Sequence, residues 1–217
     1  KKLKNKFISF ENDILKNEIL KGSVKGKYIK KFFIDIGSLE KLSHIKNKHY
    51  LIQNKCFFLD RDGVINSDRG YIRNFKDFIF LKGVDRAINY LNKKNFLIIV
   101  ITNQSAIGRG IISEFDLGII HNKMRNSLIK KNAIIDDIYY SPYYKNSDNN
   151  IYKLNKFDRK PNPGMIKKAI NKWNINISSS YFIGDKITDK LAANKCNLKF
   201  YFKKKISLYK QIKSIIK

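Results

Sequence analysis

Two carboxylates, Asp60 and Asp62, follow the apolar segment CFFL, and Gly63 after them permits a sharp turn. In an extended segment, side chains two residues apart point to the same side of the chain. Two acids held close together raise each other's pKa unless a cation lies between them. Oxygen ligands suit Mg²⁺, so the pair predicts a magnesium site. Alone the pattern is weak, because two such acids also occur in solvated turns.

Further polar side chains follow other apolar segments of the chain. Thr102 ends FLIIVITN, Lys160 comes just before a helix start at Pro163, and Asp185 follows YFIG, with Asp189 four residues later. A carboxylate nucleophile, a general acid two residues on, a hydroxyl, a lysine and a further metal-binding acid form a set suited to phosphoryl transfer.

From residue 55 onward, short apolar strands alternate with amphipathic helices. The expected strands are KCFFLD, FLIIVITN, DDIYYS, YFIGD and LKFYF, and the expected helices are GVDRAINYLNKKN, SEFDLGIIHNKMRNSLIKKN, PGMIKKAINKWN and TDKLAANKC. Ser113 is the expected N-cap of the second helix. The alternation predicts an α/β fold with a doubly wound parallel sheet. Ligands bind beyond the carboxyl ends of such strands, where Asp60, Thr102 and Asp185 stand.

Five motifs, in this order, carry a family resemblance: FLDRDGVIN, DRGY, TNQSAIGRG, RKPNPGM and GDKITD. They resemble the motifs of the haloacid dehalogenase superfamily, whose fold is Rossmann-like. Over about Lys55 to Phe202 they most resemble the D-glycero-D-manno-heptose 1,7-bisphosphate 7-phosphatases. The resemblance implies a Mg²⁺-dependent phosphoric monoester hydrolase that acts through an aspartyl-phosphate in nucleotide-activated heptose biosynthesis. Histidinol-phosphate phosphatases share most of these motifs, so another small phosphate ester is the alternative substrate.

The resemblance also implies roles for individual residues. Asp60 attacks phosphorus, and Asp62 protonates the leaving oxygen and then activates water. Asp60, the Asp62 main-chain carbonyl and Asp185 hold Mg²⁺, and Asp189 supports the metal loop. For Asn103 and Arg109, two roles are possible: a structural hydrogen bond or direct contact with the substrate. His121 is interpreted as a surface or packing residue. The expected substrate- and phosphate-binding residues are Asp68, Arg69, Gly70, Tyr71, Thr102, Asn103, Gln104, Ser105, Arg109, Arg159, Lys160 and Lys186.

One segment departs from the family pattern. Members usually carry a zinc-binding loop with three Cys and one His between the third strand and RKP. The corresponding positions here are Ser141, Tyr143, Lys156 and Asp158, so we expect no zinc. Packing of aromatic side chains is expected to order this loop instead, and the candidates are Tyr143, Tyr144, Tyr152 and Phe157.

The first 54 residues do not follow the alternation. SFENDIL and GKYIKKFFIDIGSLEKLSHI resemble the C-terminal tail of sugar-1-phosphate nucleotidyltransferases, in which Asp35 would help to bind metal. We expect a nucleotidyltransferase remnant at 1–54, a phosphatase domain at 55–206 and a helical tail at 207–217. The chain does not begin with Met, so a fragment or a processed product is expected, and the resemblance implies a larger fusion protein as its parent. Packing of 1–54 beside the phosphatase, or a non-catalytic module of a decayed fusion, are the alternatives.

The composition is strongly basic, with 45 Lys+Arg against 18 Asp+Glu and a net charge of +27. Only seven of the basic residues are Arg, the residue that base and phosphate recognition favours, so we expect small anionic substrates rather than a nucleic-acid partner. The sequence has no apolar run of membrane-spanning length, and its first residues lack the apolar region and the small-residue cleavage site of a signal peptide, so we expect none. The two cysteines do not make a disulfide framework. We expect a cytoplasmic protein, either a monomer or part of a larger chain.

Overall fold

The computed structural model describes residues 9–26, 37–40, 43, 53–153 and 157–216. The chain divides into two compact units, Lys1–Asn47 and Lys48–Lys217. In the first unit a π-helix, Phe10–Leu15, continues into α1, Lys16–Leu20. Asp35 of the FIDIG segment lies outside the described residues. The nucleotidyltransferase resemblance therefore stays a prediction.

The second unit is built on five parallel strands in the order β3-β2-β1-β4-β5. The strands are β1 Cys56–Leu59, β2 Leu97–Asn103, β3 Asp137–Ser141, β4 Tyr181–Gly184 and β5 Lys199–Phe202. Every residue of β1 is buried, because the strand lies in the middle of the sheet and is covered on both faces. The predicted α/β class and parallel sheet are confirmed.

Five helices connect or follow these strands: α2 Val84–Lys93, α3 Glu114–Ile129, α4 Gly164–Trp173, α5 Ile187–Asn194 and α6 Leu208–Ile215. Short 3₁₀ turns cover Phe75–Asp77 and Asn150–Tyr152. Alternate residues of β1 enter different apolar clusters: Phe57 and Leu59 pack in one, and Phe58 in the other. No helix in the described parts of the chain has the length and apolar character needed to cross a bilayer.

Two helices show how local sequence determines where a helix begins and which face it buries. Ser113 Oγ accepts from the Asp116 N–H, and Asp116 Oδ2 accepts from the Ser113 N–H, so α3 begins with a capping box at the predicted N-cap. In α6, Leu208 and Ile212 are fully buried in the apolar cluster that also contains Val84 of α2. The amphipathic C-terminal segment therefore packs on the domain, as its spacing indicates.

Candidate active site

The chemistry-bearing residues meet at the carboxyl edge of the sheet. Asp60 directly follows β1, and its N–H continues the ladder by donating to Ile183 O of β4 at 3.0 Å. Because the strands are parallel, the ends of β1, β2 and β4 lie side by side. A cavity of about 440 Å³ opens there. It is lined by Asp60, Asp62, Asp68, Gly70, Tyr71, Thr102, Asn103, Gln104, Ser105, Ala106, Arg159, Lys160, Lys186, Thr188 and Asp189.

Most of the residues that the sequence singled out line this cavity. Arg69 and Arg109 are exposed and are not among its lining residues. Asp185 does not line it either but belongs to the acidic cluster described below. Thr188 and Asp189 also line the cavity. The family resemblance gives Asp189 only a supporting role at the metal loop and does not single out Thr188. Both belong to GDKITD, so the motif itself was the signal for them.

Asp60, Asp185 and Asp189 form an acidic cluster, in which one carboxylate oxygen from each lies within 4.8 Å of the others. Asp185 Oδ1 has no hydrogen-bond partner among the described residues. Burial raises the pKa of Asp60 to about 7, in spite of the opposing charge of Lys160, and burial also raises the pKa of Asp185. A hard divalent cation would offset this crowding of buried oxygen ligands, so the cluster fits Mg²⁺.

Lys160 places a fixed positive charge beside the first aspartate. Its Nζ lies 2.9 Å from Asp60 Oδ1 and 2.6 Å from Asp189 Oδ1, and it donates to Ile101 O at 2.8 Å. Burial favours a lower pKa for Lys160, but the two carboxylates outweigh it and the pKa is raised. The ammonium is therefore charged and can stabilise an anion in the cavity.

Four nitrogen donors from three side chains bind the carboxylate of Asp62. Arg61 Nη2 donates to both Asp62 oxygens at 2.9 Å, Asn66 Nδ2 donates to Oδ1 at 2.9 Å, and Gln104 Nε2 donates to Oδ2 at 2.9 Å. Arg61 Nε adds a longer bond of 3.2 Å to Oδ1. Sequence reasoning missed Arg61 and Asn66, although both belong to FLDRDGVIN.

Gln104 also joins Asp62 to the hydroxyl at the end of β2. Its Nε2 donates to Thr102 Oγ1 at 2.8 Å. A hydroxyl that accepts one hydrogen bond keeps its own hydrogen for donation, and a phosphate oxygen is a suitable acceptor. Thr102 is buried, with 1% of its surface exposed, so such a donation would occur away from bulk water.

Gly63 is required where the chain turns after the two aspartates. Its φ is +81°, a backbone conformation that residues other than glycine rarely adopt. A Cβ placed there would lie 2.2 Å from Asp185 Oδ2. The glycine therefore allows the loop after β1 to approach the acidic cluster.

Four of the predicted binding residues form two hydrogen-bonded pairs with one another. Asn103 Nδ2 donates to Lys160 O at 3.0 Å, and Asn103 Oδ1 accepts from the Lys160 N–H at 3.1 Å. This reciprocal pair fixes the backbone of Lys160. Lys186 Nζ donates to Asp68 Oδ2 at 2.8 Å, and that bond lowers the pKa of Asp68. Both side chains of this second pair are partly exposed, so it contributes little to stability.

Two arginines contact the segment that the sequence singled out as a departure from the family. Arg159 Nη1 donates to Tyr143 O at 2.8 Å, and the Arg109 guanidinium lies 3.6 Å from the centre of the Tyr144 ring. Burial, followed by the charge of Arg109, lowers the pKa of Arg159. The contact of Arg109 is thus a cation–π contact with the loop.

Tyrosines hold the same segment from its other side. Tyr152 O accepts from the Tyr144 N–H at 3.0 Å, and the Tyr152 hydroxyl donates to Glu114 Oε1 at 3.0 Å. Phe157 keeps 52% of its surface exposed and adds little to this packing. The expected aromatic packing is therefore present at Tyr144 and Tyr152 and weak at Phe157.

Solved structures place this fold and site in a class. The crystal structure of a HAD-like phosphatase from Mesorhizobium loti aligns with a TM-score of 0.64 at 27% identity, covering 67% of this chain and 70% of that one. The D,D-heptose 1,7-bisphosphate phosphatase from B. bronchiseptica, complexed with magnesium and phosphate, aligns with a TM-score of 0.62 at 25% identity, covering 74% and 86%. The chain is a haloacid dehalogenase-like phosphatase, an enzyme that hydrolyses phosphate monoesters.

Sequence comparisons then give the family. The family model described as polynucleotide kinase 3 phosphatase matches residues 55–209, and the chain belongs to this family. The D-glycero-beta-D-manno-heptose-1,7-bisphosphate 7-phosphatase of Haemophilus ducreyi is 40% identical over 146 residues, which are 67% of this chain and 80% of that protein. The D-glycero-alpha-D-manno-heptose-1,7-bisphosphate 7-phosphatase of Burkholderia mallei is 38% identical over 138 residues, or 64% and 73%. The resemblance to heptose bisphosphate phosphatases is confirmed.

Proposed function

We propose that this phosphatase removes the 7-phosphate of D-glycero-D-manno-heptose 1,7-bisphosphate. The observation that carries the proposal is the convergence of Asp60, Asp62 and Lys160 on one cavity in a chain that is 40% identical to an enzyme of that name. Asp60 is the nucleophile, Asp62 the acid and base, and Lys160 the fixed countercharge of the phosphate.

The reaction proceeds in two displacements. A carboxylate oxygen of Asp60 forms a bond to phosphorus while the bond from phosphorus to the sugar oxygen breaks, and Asp62 gives its proton to that oxygen. Water then attacks phosphorus, Asp62 takes a proton from it, and the Asp60 carboxylate is released with inorganic phosphate. The Thr102 hydroxyl donates to a phosphate oxygen in both steps, and the Lys160 ammonium, whose three N–H groups face Asp60, Asp189 and Ile101 O, stabilises the phosphate by its positive charge.

Asp60 and Asp185, together with the main-chain carbonyl of Asp62, would hold Mg²⁺, and Asp189 lies in the same cluster. The bound ion would neutralise negative charge on the phosphate and on the nucleophile. The rest of the cavity is lined by Arg159, Lys186, Asp68, Gly70 and Tyr71, which would face the sugar. Arg69 and Arg109 stay outside that set.

A substrate panel tests the proposed function. We expect kcat/KM for heptose 1,7-bisphosphate to exceed that for histidinol phosphate by at least about tenfold, because pocket contacts to the sugar add to transition-state binding. Both anomers are measured with saturating Mg²⁺. A 3′-phosphorylated oligonucleotide belongs in the same panel, since the description of the family model and the net charge of +27 make it the natural competitor. A preference for histidinol phosphate or for the oligonucleotide would replace the proposed substrate, and no activity on any ester would favour a non-catalytic module.

A second prediction concerns zinc in the segment between β3 and α4. At the positions of the family ligands, Ser141 is buried at the end of β3, Asp158 Oδ2 pairs with Lys168 Nζ at 2.6 Å, and Lys156 lies outside the described residues. One carboxylate with a hydroxyl and a phenol does not make a closed zinc site, so elemental analysis should find less than about a tenth of a zinc per chain. Activity should need Mg²⁺ and resist a zinc-selective chelator. Stoichiometric zinc that disappears in Asp158→Asn would contradict the prediction.

We propose as well that residues 1–54 are the tail of a nucleotidyltransferase joined to a phosphatase domain at 55–206 and a helical tail at 207–217. The motif resemblance at FIDIG supports this assignment. The coding sequence upstream should then contain the nucleotide-binding half of such an enzyme, and an unrelated upstream sequence would contradict it.

We further propose a cytoplasmic location, for which the two free buried cysteines are suited, and a monomeric phosphatase unit.

A further inference from the structure

The arginine between the two catalytic aspartates has a second neighbour, which is not among the residues that line the cavity. The Arg61 side chain is buried, with 2% exposed, and pairs with Asp62 through Nε and Nη2. Its remaining terminal nitrogen, Nη1, lies 3.3 Å from Nε2 of His121 on α3. His121 is also buried, with 7% exposed. A helix of the core is thus connected to Asp62 through one guanidinium.

The direction of this contact follows from the chemistry of the two groups. A guanidinium only donates hydrogen bonds, so His121 Nε2 must accept and the ring hydrogen must be on Nδ1. Burial, followed by the charges of Arg61 and Arg125, lowers the pKa of His121 to about 3. The imidazole is therefore neutral at ordinary pH, and Nε2 keeps the lone pair that Arg61 needs.

We propose that His121 is a positioning residue: by accepting from Arg61 Nη1 it orients the guanidinium that holds the carboxylate of Asp62 at the cavity. The inference rests on the proposed role of Asp62 as proton donor to the leaving oxygen. A general acid works only within hydrogen-bond reach of the atom that it protonates. A guanidinium whose Nη1 is held by His121 cannot rotate away from Asp62, so the Asp62 carboxylate stays within hydrogen-bond reach of the leaving oxygen.

The alternative is that His121 only fills space in the core. The two roles differ in what happens when the acceptor is removed while the volume is kept. His121→Met fills the site but leaves Arg61 Nη1 without this acceptor, whereas His121→Gln retains a carbonyl oxygen on a side chain of similar reach. Met124→Leu is the matched control, since Met124 is fully buried three residues further along α3 and carries no polar hydrogen-bonding group toward Arg61.

The readout is the dependence of kcat/KM on the leaving group, because kcat/KM reports only the steps through departure of that group and not the later hydrolysis in which Asp62 acts as base. A sugar alkoxide must be protonated as it leaves, while the phenolate of p-nitrophenyl phosphate leaves without help. In His121→Met we expect kcat/KM for heptose 1,7-bisphosphate to fall about tenfold and kcat/KM for p-nitrophenyl phosphate to change by less than about twofold, because only the general-acid contribution is weakened. His121→Gln should recover most of the loss, and Met124→Leu should leave both kcat/KM values near those of the wild type. Equal losses on both substrates, or no loss, would overturn the proposal.

Asp62→Asn separates this inference from the proposed mechanism. In kcat/KM it should show the same dependence on the leaving group more strongly, since it removes the acid itself. If it lowers both kcat/KM values equally, the role of Asp62 as acid is wrong and the inference falls with it. If it shows the dependence and His121→Met does not, only the inference is overturned.

A measurement on the unmodified protein covers the case in which His121→Met does not fold. The ¹⁵N shifts of the His121 ring should report a neutral imidazole with its hydrogen on Nδ1. A hydrogen on Nε2, or an imidazolium at neutral pH, would place a donor against Arg61 and overturn the proposal.

Discussion

Asp60→Asn is expected to lower kcat by at least about a thousandfold, because an amide oxygen does not replace a carboxylate as the nucleophile that attacks phosphorus. The change preserves shape in a closely packed position. Asp60 Oδ1 accepts from the Arg61 N–H at 2.7 Å and lies 2.9 Å from Lys160 Nζ. An asparagine carbonyl can retain both contacts, so the loss should come from chemistry rather than from unfolding.

The measurement is steady-state turnover on heptose 1,7-bisphosphate with saturating Mg²⁺, together with the unfolding midpoint of each protein. Asp77→Asn is the matched control, since Asp77 is an exposed aspartate on a 3₁₀ turn and does not line the cavity. It should retain full activity. Pure Asp60→Asn protein with more than about a tenth of the wild-type turnover would contradict the assignment of the nucleophile.

The parts of this molecule that sequence predicts well are those governed by local pattern. FLIIVI is apolar without interruption because β2 is covered on both faces, and such a run identifies a parallel strand. Ser113 and Asp116 satisfy each other at the start of α3 within four residues of chain. The polar residues at the strand ends follow from the same logic, since a parallel sheet gathers its carboxyl ends at one edge.

Several of the contacts that sequence did not predict join residues far apart in the chain. Asn103 binds the backbone of Lys160, 57 residues away, and Arg61 meets His121, 60 residues away. Residue type gives only the capacity for such bonds, and the packing of α3 against the sheet decides the partner. The segment after β3 is similar: its tyrosines indicate packing, but the choice of Arg109 and Glu114 as partners depends on tertiary structure.

The second large effect is expected for the buried lysine. In Lys160→Met, kcat should fall at least about a hundredfold, because the site loses a preorganised cation that faces the transferring phosphate. The variant should also be less stable without metal, by about 3 kcal/mol, since it leaves Asp60 and Asp189 buried without their countercharge. Activity and urea unfolding, each with and without Mg²⁺, measure both effects.

Lys131→Met is the matched control, because Lys131 also pairs with an aspartate, Asp85 at 3.1 Å, but the two side chains are 64% and 27% exposed. It should cost less than about 1 kcal/mol and leave kcat near the wild-type value. Added Mg²⁺ should stabilise Lys160→Met more than it stabilises the wild type, since the ion then supplies positive charge that the carboxylates have lost. It should not restore activity, because a cation among the carboxylates does not place positive charge at the position of Nζ. Recovery of turnover by Mg²⁺ alone would show that Lys160 serves only to balance the charge of the acidic cluster, whereas stabilisation without recovery would separate its two roles.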